Sequence, residues 1–420
     1  MRRVHLAYGR DGLDVEVPDT AVVVEPTELD GLDDEGQAVL EALRSPISGP
    51  TLAELLERRA GGQVAVVFPD LTRPMPNRTV LPPLLAELER LGAGPDRVEL
   101  LCATGTHRQG TAAEMAELVG EEILARYRVH QHRADDGHHV MVGRVDGTPI
   151  LLDARYVSAD IRIVTGFVEP HFFAGFSGGP KGVCPGLADT GTILEAHSPT
   201  RIADPAATWL VTEGNPVHDF VRAAVALDPP DLSVDVTINS TRRLTSVFCG
   251  PLPDGHLGAR AFVEKTAVKE VDRRFEVVLT TNGGHPLDRN LYQAVKGMAA
   301  AERVVADAGI IVVAAACGDG LPDGGAFARL LAEAHGPADL ARAGGDSQLD
   351  RWQVQVMGRV LSRSQVWLHT GGLDDEAIRS AHLHPARDLD GALAAALSAT
   401  GPGARCCVLP LGPFTVVRAP

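Results

Sequence analysis

The chain has 420 residues, of which 45% are hydrophobic and 22% are charged, a composition typical of a globular protein long enough for two domains. Its formal net charge of −16 argues against binding to nucleic acid or to an anionic membrane surface, and an aromatic content of 4% is too low for a base-stacking platform. The six cysteines show no CxxC spacing and no apolar run approaches the ~18 residues of a membrane span, so we expect a cytoplasmic protein without a disulfide framework or structural zinc site.

The first part of the chain predicts alternating strands and helices. Short strands occupy the first 27 residues, and a helix at "DEGQAVLEALRSP" ends at Pro46. The runs "VAVVF", "VELLC" and "IRIVTG" are continuously apolar, as is typical of parallel strands buried on both faces. Between them, "PPLLAELERLG" predicts a helix with its prolines in the first turn and Gly92 after its end, and Thr111 with Glu114 forms a capping box.

After a less regular stretch at 228–272 the alternation restarts. It runs through "FEVVLTTNGG", a helix at "DRNLYQAVKGMAAAERVV" with Asp288 as its expected N-cap, "AGIIVVAAAC", "QVWLHTGG" and "ARCCVLP". The pattern predicts an α/β fold of two domains with mostly parallel, helix-covered sheets and an active site in the cleft between them. We place the domains at 1–272 and 274–406, and the strand within 408–420 is a candidate to return to the first domain.

Polar side chains follow the three buried strands of the first domain, where ligands of open parallel sheets bind. They are Asp70, Thr72 and Arg73 after the first strand, Thr104, Thr106 and His107 after the second, and Glu169 and His171 after the third. Each has a simpler explanation as a turn, a cap or a structural histidine. Their coincidence at one sheet edge favours a site.

The third of these loops, "EPHFFAGFSGGPKGVCPG", carries Lys181 among glycines. Pro180 precedes the lysine and Gly182 follows it, so the phosphate-loop pattern with its magnesium-binding hydroxyl is missing. Gly178 and Gly179 still let the backbone approach a planar or anionic ligand. An apolar surrounding favours a neutral, nucleophilic amine, and we therefore interpret Lys181 as a covalent attachment point.

His197, in "TILEAHSPTR", is a candidate ligand for zinc, copper, iron or nickel, whose other ligands would have to come from elsewhere. The histidines His130, His132, His138 and His139 lie in a charged segment, and we expect a solvated face there.

In the second domain, Tyr292, Gln293 and Lys296 share one face of a predicted helix. The alternative for Lys296 is an exposed helix face, and for Trp352 a core or domain-interface position.

Six stretches, in order between residues 70 and 355, resemble the nickel-pincer lactate racemase family: "DLTRP", "ATGTHR", "EPHFFAGFSGGPKGVCPG", "EAHSP", "NGGHPLDRNLYQAVKGM" and "RWQVQ". The resemblance implies an isomerase that racemises or epimerises 2-hydroxy acids. It also implies a cofactor, the nickel-pincer nucleotide, which is a pyridinium-3-thioamide-5-thiocarboxylate mononucleotide carrying nickel.

The resemblance assigns a role to each candidate residue. Lys181 matches the lysine that attaches to the cofactor, and His197 matches the nickel ligand. His107 and His171 match the two acid–base histidines. Substrate-holding or site-lining positions are matched by Arg73, Lys296, Tyr292, Gln293 and Trp352. The cofactor-contacting segments include Asp70, Thr72, Thr104, Gly178 and Gly179.

The implied reaction moves a hydride from the substrate to the cofactor while a histidine takes the hydroxyl proton, so that a 2-keto acid forms and accepts the hydride on its other face. The implied partners are a small-molecule 2-hydroxy acid and proteins that make the cofactor, with no nucleic acid and no membrane. The side chain of the substrate stays open among lactate, another short 2-hydroxy acid, malate, an aromatic 2-hydroxy acid and a sugar acid.

Two other classes of function remain open. One is a transferase that uses "SGGPKG" for nucleotide or phosphate binding, and the other is a non-catalytic protein that binds nickel or the cofactor.

Overall fold

The computed structural model describes residues 1–322 and 326–420. Its strands are, in chain order, β1 (Arg2–Leu6), β2 (Leu13–Val17), β3 (Val22–Val23), β4 (Val64–Pro69), β5 (Val98–Ala103), β6 (Arg128–Gln131), β7 (His139–Val145), β8 (Thr148–Asp153), β9 (Ile161–Phe167), β10 (Pro170–His171), β11 (Gly175–Phe176), β12 (Leu232–Ile238), β13 (Leu244–Gly250), β14 (Val268–Glu270), β15 (Phe275–Thr281), β16 (Val305–Ala314), β17 (Gln365–His369), β18 (His384–Pro385), β19 (Cys406–Leu409) and β20 (Val416–Arg418).

The α-helices lie between these strands and cover the sheets. They are, in chain order, α1 (Glu35–Arg44), α2 (Leu52–Arg58), α3 (Asn77–Arg90), α4 (Ala112–Val119), α5 (Glu121–Arg126), α6 (Ala154–Ser158), α7 (Thr190–Ala196), α8 (Pro199–Ala203), α9 (Pro216–Val225), α10 (Asp254–Ala267), α11 (Leu291–Glu302), α12 (Phe327–Glu333), α13 (Pro337–Leu340), α14 (Arg351–Leu361), α15 (Asp375–Ser380) and α16 (Leu389–Ala399). Short 3-10 helices span Gly179–Gly182 and Gly412–Phe414. In the part of the chain described here, no helix is both long enough and apolar enough to cross a membrane.

The first six-stranded sheet has the order β13-β12-β9-β4-β5-β6. All neighbours run parallel except β12 and β13. In its middle, Val64 pairs with Val98 on one side and with Ile161 on the other, so the apolar runs of the sequence become adjacent buried strands. Because these strands are parallel, their carboxyl ends, with the loops that follow, meet at one edge.

The second six-stranded sheet has the order β18-β17-β16-β15-β19-β3 and is entirely parallel. The predicted α/β class with mostly parallel, helix-covered sheets is confirmed.

Residues at the start of the chain join this second sheet, whereas the sequence-based division places them in the first domain. Strand β3 pairs with β19 at the sheet edge. The hairpin of β1 and β2 packs Leu6, Val15 and Val17 into the same cluster as Val277 and Leu279 of β15. Local alternation shows that these are strands, but it carries no information on which sheet buries them.

The end of the chain contacts the first domain. Strand β20 pairs in parallel with β14, which lies just before residue 272. The ring of Phe414 lies edge-on to Phe167, at the carboxyl end of β9, with 6.3 Å between the ring centroids.

Three local expectations are wrong. Helix α3 begins at Asn77, so Pro82 and Pro83 lie inside it and not in its first turn. The N-cap of α11 is Asn290, which accepts from the Gln293 N–H at 3.0 Å. Asp288 instead accepts from the backbone N–H groups of Gly9 and Ala316, in the loops that follow β1 and β16.

The third correction concerns His132, which is buried and not part of a solvated face. Its Nδ1 lies 3.1 Å from the Asp153 carboxylate and its Nε2 lies 3.0 Å from the carbonyl of Ala188. The predicted capping box of Thr111 and Glu114 at the start of α4 is confirmed.

Candidate active site

A cavity of about 130 Å³ lies between the two domains, at the carboxyl ends of β4, β5 and β9. Most of the residues selected from the sequence line it: Asp70, Arg73, Thr104, His107, His171, Gly178, Lys181, His197, Tyr292, Gln293, Lys296 and Trp352. Thr72 and Gly179 lie directly behind this lining, hydrogen-bonded to Asp70 and Asp235 respectively. Residues that are up to 282 positions apart in sequence are therefore brought to one small volume.

A larger cleft of about 840 Å³ lies on the other side of Phe167. It is lined by the loops that follow β3, β9, β12, β15 and β19. Glu169 contributes to its wall, whereas the residues named above for the smaller cavity do not. We place the candidate active site in the smaller cavity because reactive side chains, and not volume, define a site.

His107 is held by the carboxylate of Asp70. Its Nδ1 lies 2.8 Å from Asp70 Oδ2, and the Thr72 hydroxyl donates to the other oxygen, Oδ1, at 2.8 Å. Burial opposes the ionisation of Asp70, but the nearby His107, Arg73 and Thr72 together lower the pKa of its carboxyl group below the ordinary value. An ionised Asp70 accepts the Nδ1 proton of His107, which leaves Nε2 as the nitrogen that exchanges protons.

His171 faces the amine of Lys181, with 3.2 Å between Nε2 and Nζ. Its Nδ1 accepts from the backbone N–H of Ala174 at 3.3 Å, so the neutral ring carries its proton on Nε2. Burial, followed by the positive charge of Lys181, holds the pKa of His171 well below its ordinary value. Burial and the charges of Arg73 and Lys296 likewise hold the pKa of Lys181 far below that of a free lysine, which favours a neutral amine.

His197 is buried at the end of α7. Its Nδ1 donates to the carbonyl of Ile193 at 2.9 Å, and burial lowers its pKa to about 4. The ring stacks at a tilt on Trp352, with centroids 4.7 Å apart. A neutral imidazole with its proton fixed on Nδ1 presents the Nε2 lone pair, the usual state of a metal-ligating histidine.

No group of three or more His, Cys, Asp or Glu side chains that could hold a metal is found within residues 1–322 and 326–420. A metal bound by His197 must therefore take its other ligands from a bound molecule.

Two cations face the cavity without partners. The Arg73 Nη1 and the Lys296 Nζ are both buried and make no hydrogen bond within the described part of the chain, and the Oε1 of Gln293 is likewise unpaired there. Burial, together with the charge of Arg73, lowers the pKa of Lys296 to about 7, whereas the carboxylate of Glu169 works in the opposite direction. Lys296 is thus not on an exposed helix face. Buried polar groups without partners indicate that an anionic, hydrogen-bonding ligand completes the site.

Helices α11 and α14 of the second domain close the cavity. Trp352 Nε1 donates to the Tyr292 hydroxyl at 2.8 Å, and the Tyr292 ring lies edge-on to His107 with centroids 6.5 Å apart. Trp352 thus lies at the domain interface. The hydroxyl of Thr104, by contrast, is already used, because it donates to the carbonyl of His132 at 2.5 Å.

Two buried carboxyl groups near the site had no role in the sequence-based prediction. Glu169 lies two positions after β9 and is one of the polar residues that the sequence places at this sheet edge, although the resemblance gives it no role. Its pKa is raised by burial, against the opposing charges of Lys296 and Arg73. Asp235 lies in the middle of β12, where an acidic residue within the apolar run "LSVDVTI" is a signal for a buried polar contact.

Comparison with known proteins identifies lactate racemase domains in both parts of the chain. Residues 8–209 match the lactate racemase N-terminal domain, and residues 270–417 match the lactate racemase C-terminal domain. A lactate racemase of Thermoanaerobacterium thermosaccharolyticum is 33% identical over 430 residues, covering 100% of both chains. A lactate racemase of Lactiplantibacillus plantarum is 33% identical over 393 residues, covering 91% of both.

Solved structures resemble the whole chain. The lactate racemase apoprotein from Thermoanaerobacterium thermosaccharolyticum superimposes with a TM-score of 0.90 at 31% identity, covering 99% of this chain and 100% of that one. A protein from Thermotoga maritima shares the fold with a TM-score of 0.69 at 17% identity, covering 94% of this chain and 100% of that one.

Proposed function

The chain belongs to the lactate racemase family of isomerases, as its motifs predict, and on this premise we propose that it interconverts the enantiomers of lactate or a close 2-hydroxy acid. One observation carries the proposal. Two histidines and two unpaired cations from separate elements surround a single small cavity, which is what a reaction at a hydroxy-carboxylate requires.

The residues fit the nickel-pincer nucleotide as the cofactor. Lys181 offers a neutral amine for attachment through the thioamide, and His197 offers one nitrogen to nickel. The unpaired groups of Arg73 and Gln293 leave hydrogen-bonding capacity for a polar ligand. When bound, this cofactor supplies a reversible acceptor for the hydride of the substrate.

The cavity volume of about 130 Å³ is below the roughly 300–1,000 Å³ usual for pockets that enclose a drug-sized ligand. The cavity walls come from both domains, so we propose that the domains separate when the mononucleotide enters. The cofactor itself must come from other proteins, which are the expected partners.

Arg73 and Lys296 bind the carboxylate of the substrate in this proposal. A guanidinium grips a planar carboxylate through two parallel hydrogen bonds, and an ammonium adds a point charge. Both groups lack partners, so substrate binding satisfies polar atoms that folding leaves unpaired. The carboxylate then fixes the carbon atom that reacts.

His107 and His171 move the hydroxyl proton. The hydroxyl group points to opposite sides in the two enantiomers, so one imidazole accepts its proton at Nε2 and the other returns a proton from Nε2 when the mirror-image product forms. Asp70 keeps the His107 ring in one orientation and tautomer. The low pKa of His171 keeps that ring neutral at physiological pH, and in this proposal its proton moves from Nε2 to Nδ1 when Lys181 is attached to the cofactor, which leaves Nε2 free to act as a base.

Apolar side chains keep water away from this chemistry. Phe172 and Phe173 pack on the His171 ring with centroids 4.8 and 4.5 Å away, and Trp352 covers His197. A transient 2-keto acid held among these rings is protected from escape and side reactions.

The test is expression together with cofactor-making proteins, followed by intact-protein mass spectrometry, nickel analysis and chiral chromatography after incubation with L-lactate or D-lactate. We expect an added mass on Lys181, bound nickel and the same racemic mixture from either enantiomer. A Lys181→Arg variant, which keeps a long polar side chain without a nucleophilic amine, is the matched control and should lack both the added mass and turnover.

Two results would overturn the proposal. Nickel and added mass without turnover on any 2-hydroxy acid would favour a non-catalytic binding protein. ATP-dependent activity that survives in Lys181→Arg would favour the transferase.

A further inference from the structure

The turn that carries Lys181 is hydrogen-bonded to the buried carboxylate of Asp235. Lys181 lies on the 3-10 helix Gly179–Gly182, next to β12. The Gly179 N–H donates to Asp235 Oδ1 at 2.8 Å, and the Ser233 hydroxyl donates to Asp235 Oδ2 at 2.6 Å. Asp235 is 0% exposed, so these contacts form inside the first domain and not in the cavity.

The glycines around this carboxylate are required by close packing. A Cβ on Gly178 would lie 2.7 Å from Asp235 Oδ1, and one on Gly166 of β9 would lie 2.5 Å from it. A Cβ on Gly179 would overlap the ring of His256, whose Nε2 donates to the Ser177 carbonyl at 2.8 Å. Heavy atoms do not approach a real Cβ so closely, so any side chain at these positions would push the turn away from Asp235.

Asp235 is an unfavourable residue for stability alone. Burial raises its pKa to about 6, against the two hydrogen bonds that stabilise the ionised form. No cation contributes to this balance, and a buried carboxyl group without a cation costs free energy that an apolar residue in the same strand would not. Its hydrogen bond to the turn indicates that Asp235 positions the turn and does not serve stability alone.

We propose that Asp235 is a positioning residue, which fixes the turn Gly179–Gly182 so that the Lys181 amine is held beside His171 and directed into the cavity. Its importance for catalysis rests on the proposed role of Lys181 as the attachment point. The same close contacts explain why positions 178 and 179 are glycines, since a side chain at either position would clash with the residues packed behind the site.

The chain contains four lysines, which makes the proposal easy to test: Lys181, Lys265, Lys269 and Lys296. Competitive acetylation of the cofactor-free protein with acetic anhydride, read by peptide mass spectrometry over a pH series, gives the pH at which each amine becomes half-reactive. In the parent protein this midpoint should be much lower for Lys181 than for the exposed Lys265, because the Lys181 amine is crowded by protein and cations.

In Asp235→Ala the turn loses its acceptor, and the Lys181 midpoint should rise toward that of Lys265 by about one pH unit or more. Asp235→Asn keeps a carbonyl oxygen for the Gly179 N–H and should restore the low midpoint. Thr237→Val is the matched control. Thr237 is also a buried polar residue of β12, but its hydroxyl hydrogen-bonds to Thr245 and not to the turn, so this variant should leave the Lys181 midpoint unchanged.

An unshifted Lys181 midpoint in a folded Asp235→Ala protein would overturn the proposal. If that variant does not fold, Asp235→Val serves instead, since a β-branched apolar residue suits a buried strand and also lacks the acceptor. The labelling does not depend on the cofactor or on turnover. A shifted midpoint in a protein that never racemises 2-hydroxy acids would therefore reject the proposed function while supporting the role of Asp235.

Discussion

His107 and His171 differ in how each is prepared for proton transfer. Asp70 orients His107, whose side chain is 31% exposed, whereas His171 is buried and bonded to backbone N–H and to Lys181. The two rings reach the cavity from different loops, which follow β5 and β9. In the proposed reaction each ring serves a different orientation of the substrate hydroxyl.

We expect His107→Ala and His171→Ala each to reduce racemisation by about 100- to 10,000-fold, the usual contribution of a general acid or base. Both directions should fall together, because each direction needs one ring as base and the other as acid. Chiral chromatography from pure L-lactate and from pure D-lactate measures the two rates. His335→Ala, whose side chain is 94% exposed, is the control; full activity in either site variant would reject the two-histidine assignment.

In the proposed function, Lys296 makes substrate binding depend on pH. With a pKa of about 7, its ammonium loses its proton as the pH rises through neutrality, and the attraction for the substrate carboxylate is lost with it. We expect kcat/KM to fall on the alkaline side of about pH 7 through a rise in KM. A Lys296→Arg variant, which does not titrate there, should remove this limb of the profile.

Glu169→Gln should move that limb to lower pH. The Glu169 carboxylate favours the charged form of Lys296, so its removal lowers the pKa of the lysine further. The pH profile of kcat/KM measures this shift, with Glu264→Gln, on the surface near Arg418, as a control that should not change it. A shift to higher pH, or none, would show that Glu169 does not act on Lys296.

At the scale of single elements, β9 depends on a glycine in an otherwise bulky strand. A Cβ on Gly166 would lie 2.5 Å from Asp235 Oδ1 and 3.0 Å from the Cα of Gly178, so the strand and the lysine turn touch there without a side chain. Gly166→Ala forces one of these groups to move. We expect a loss of about 1–3 kcal/mol in the free energy of unfolding, the usual cost of overpacking, measured by urea denaturation.

The matched control is Gly344→Ala. A Cβ at Gly344 would meet no heavy atom within 4 Å, so this change should leave stability within about 0.5 kcal/mol of the parent protein. Equal stabilities of the two variants would show that the close packing at Gly166 is absent in solution.

The elements predicted well from the sequence are those that one local pattern determines. The apolar runs of β4, β5 and β9 and the capping box of α4 are such patterns, and the strand-end rule then brings Asp70, His107 and His171 together. The predicted start of α3 is wrong because prolines usually mark a first turn, whereas this helix begins at Asn77, before its prolines, and packs against α1.

Residues whose role depends on distant partners could not be predicted locally. His132 is buried only because Asp153 and the carbonyl of Ala188 meet it in space. Asp235 touches the lysine turn across 56 residues of chain, and no spacing rule connects the two. The unpaired state of Lys296 likewise follows from the meeting of two domains, which a helix pattern does not reveal.

At the scale of the whole molecule, the ends of the chain tie the two domains together. The second domain's sheet contains β3, which precedes the first domain in sequence, and β20 pairs with β14 beside the first domain. The chain therefore first contributes strands to the second domain, then forms the first domain, and then returns to the second. The crossing segments contribute Glu25, Thr27 and Phe414 to the wall of the larger cleft, outside the candidate-site cavity.

The same arrangement predicts that a change near residue 1 destabilises the second domain. Leu6 is 0% exposed and packs with Val277, Leu279 and Ile310. Leu6→Ala should cost about 2–5 kcal/mol, as buried leucine truncations do. Hydrogen exchange followed by mass spectrometry should show lost protection in β15 and β16 while β4 and β5 keep theirs. Ile47→Ala, at a side chain that is 55% exposed, is the control and should change neither the stability nor the exchange protection. If Leu6→Ala lost protection only in β4 and β5, the first strands would belong to the first domain.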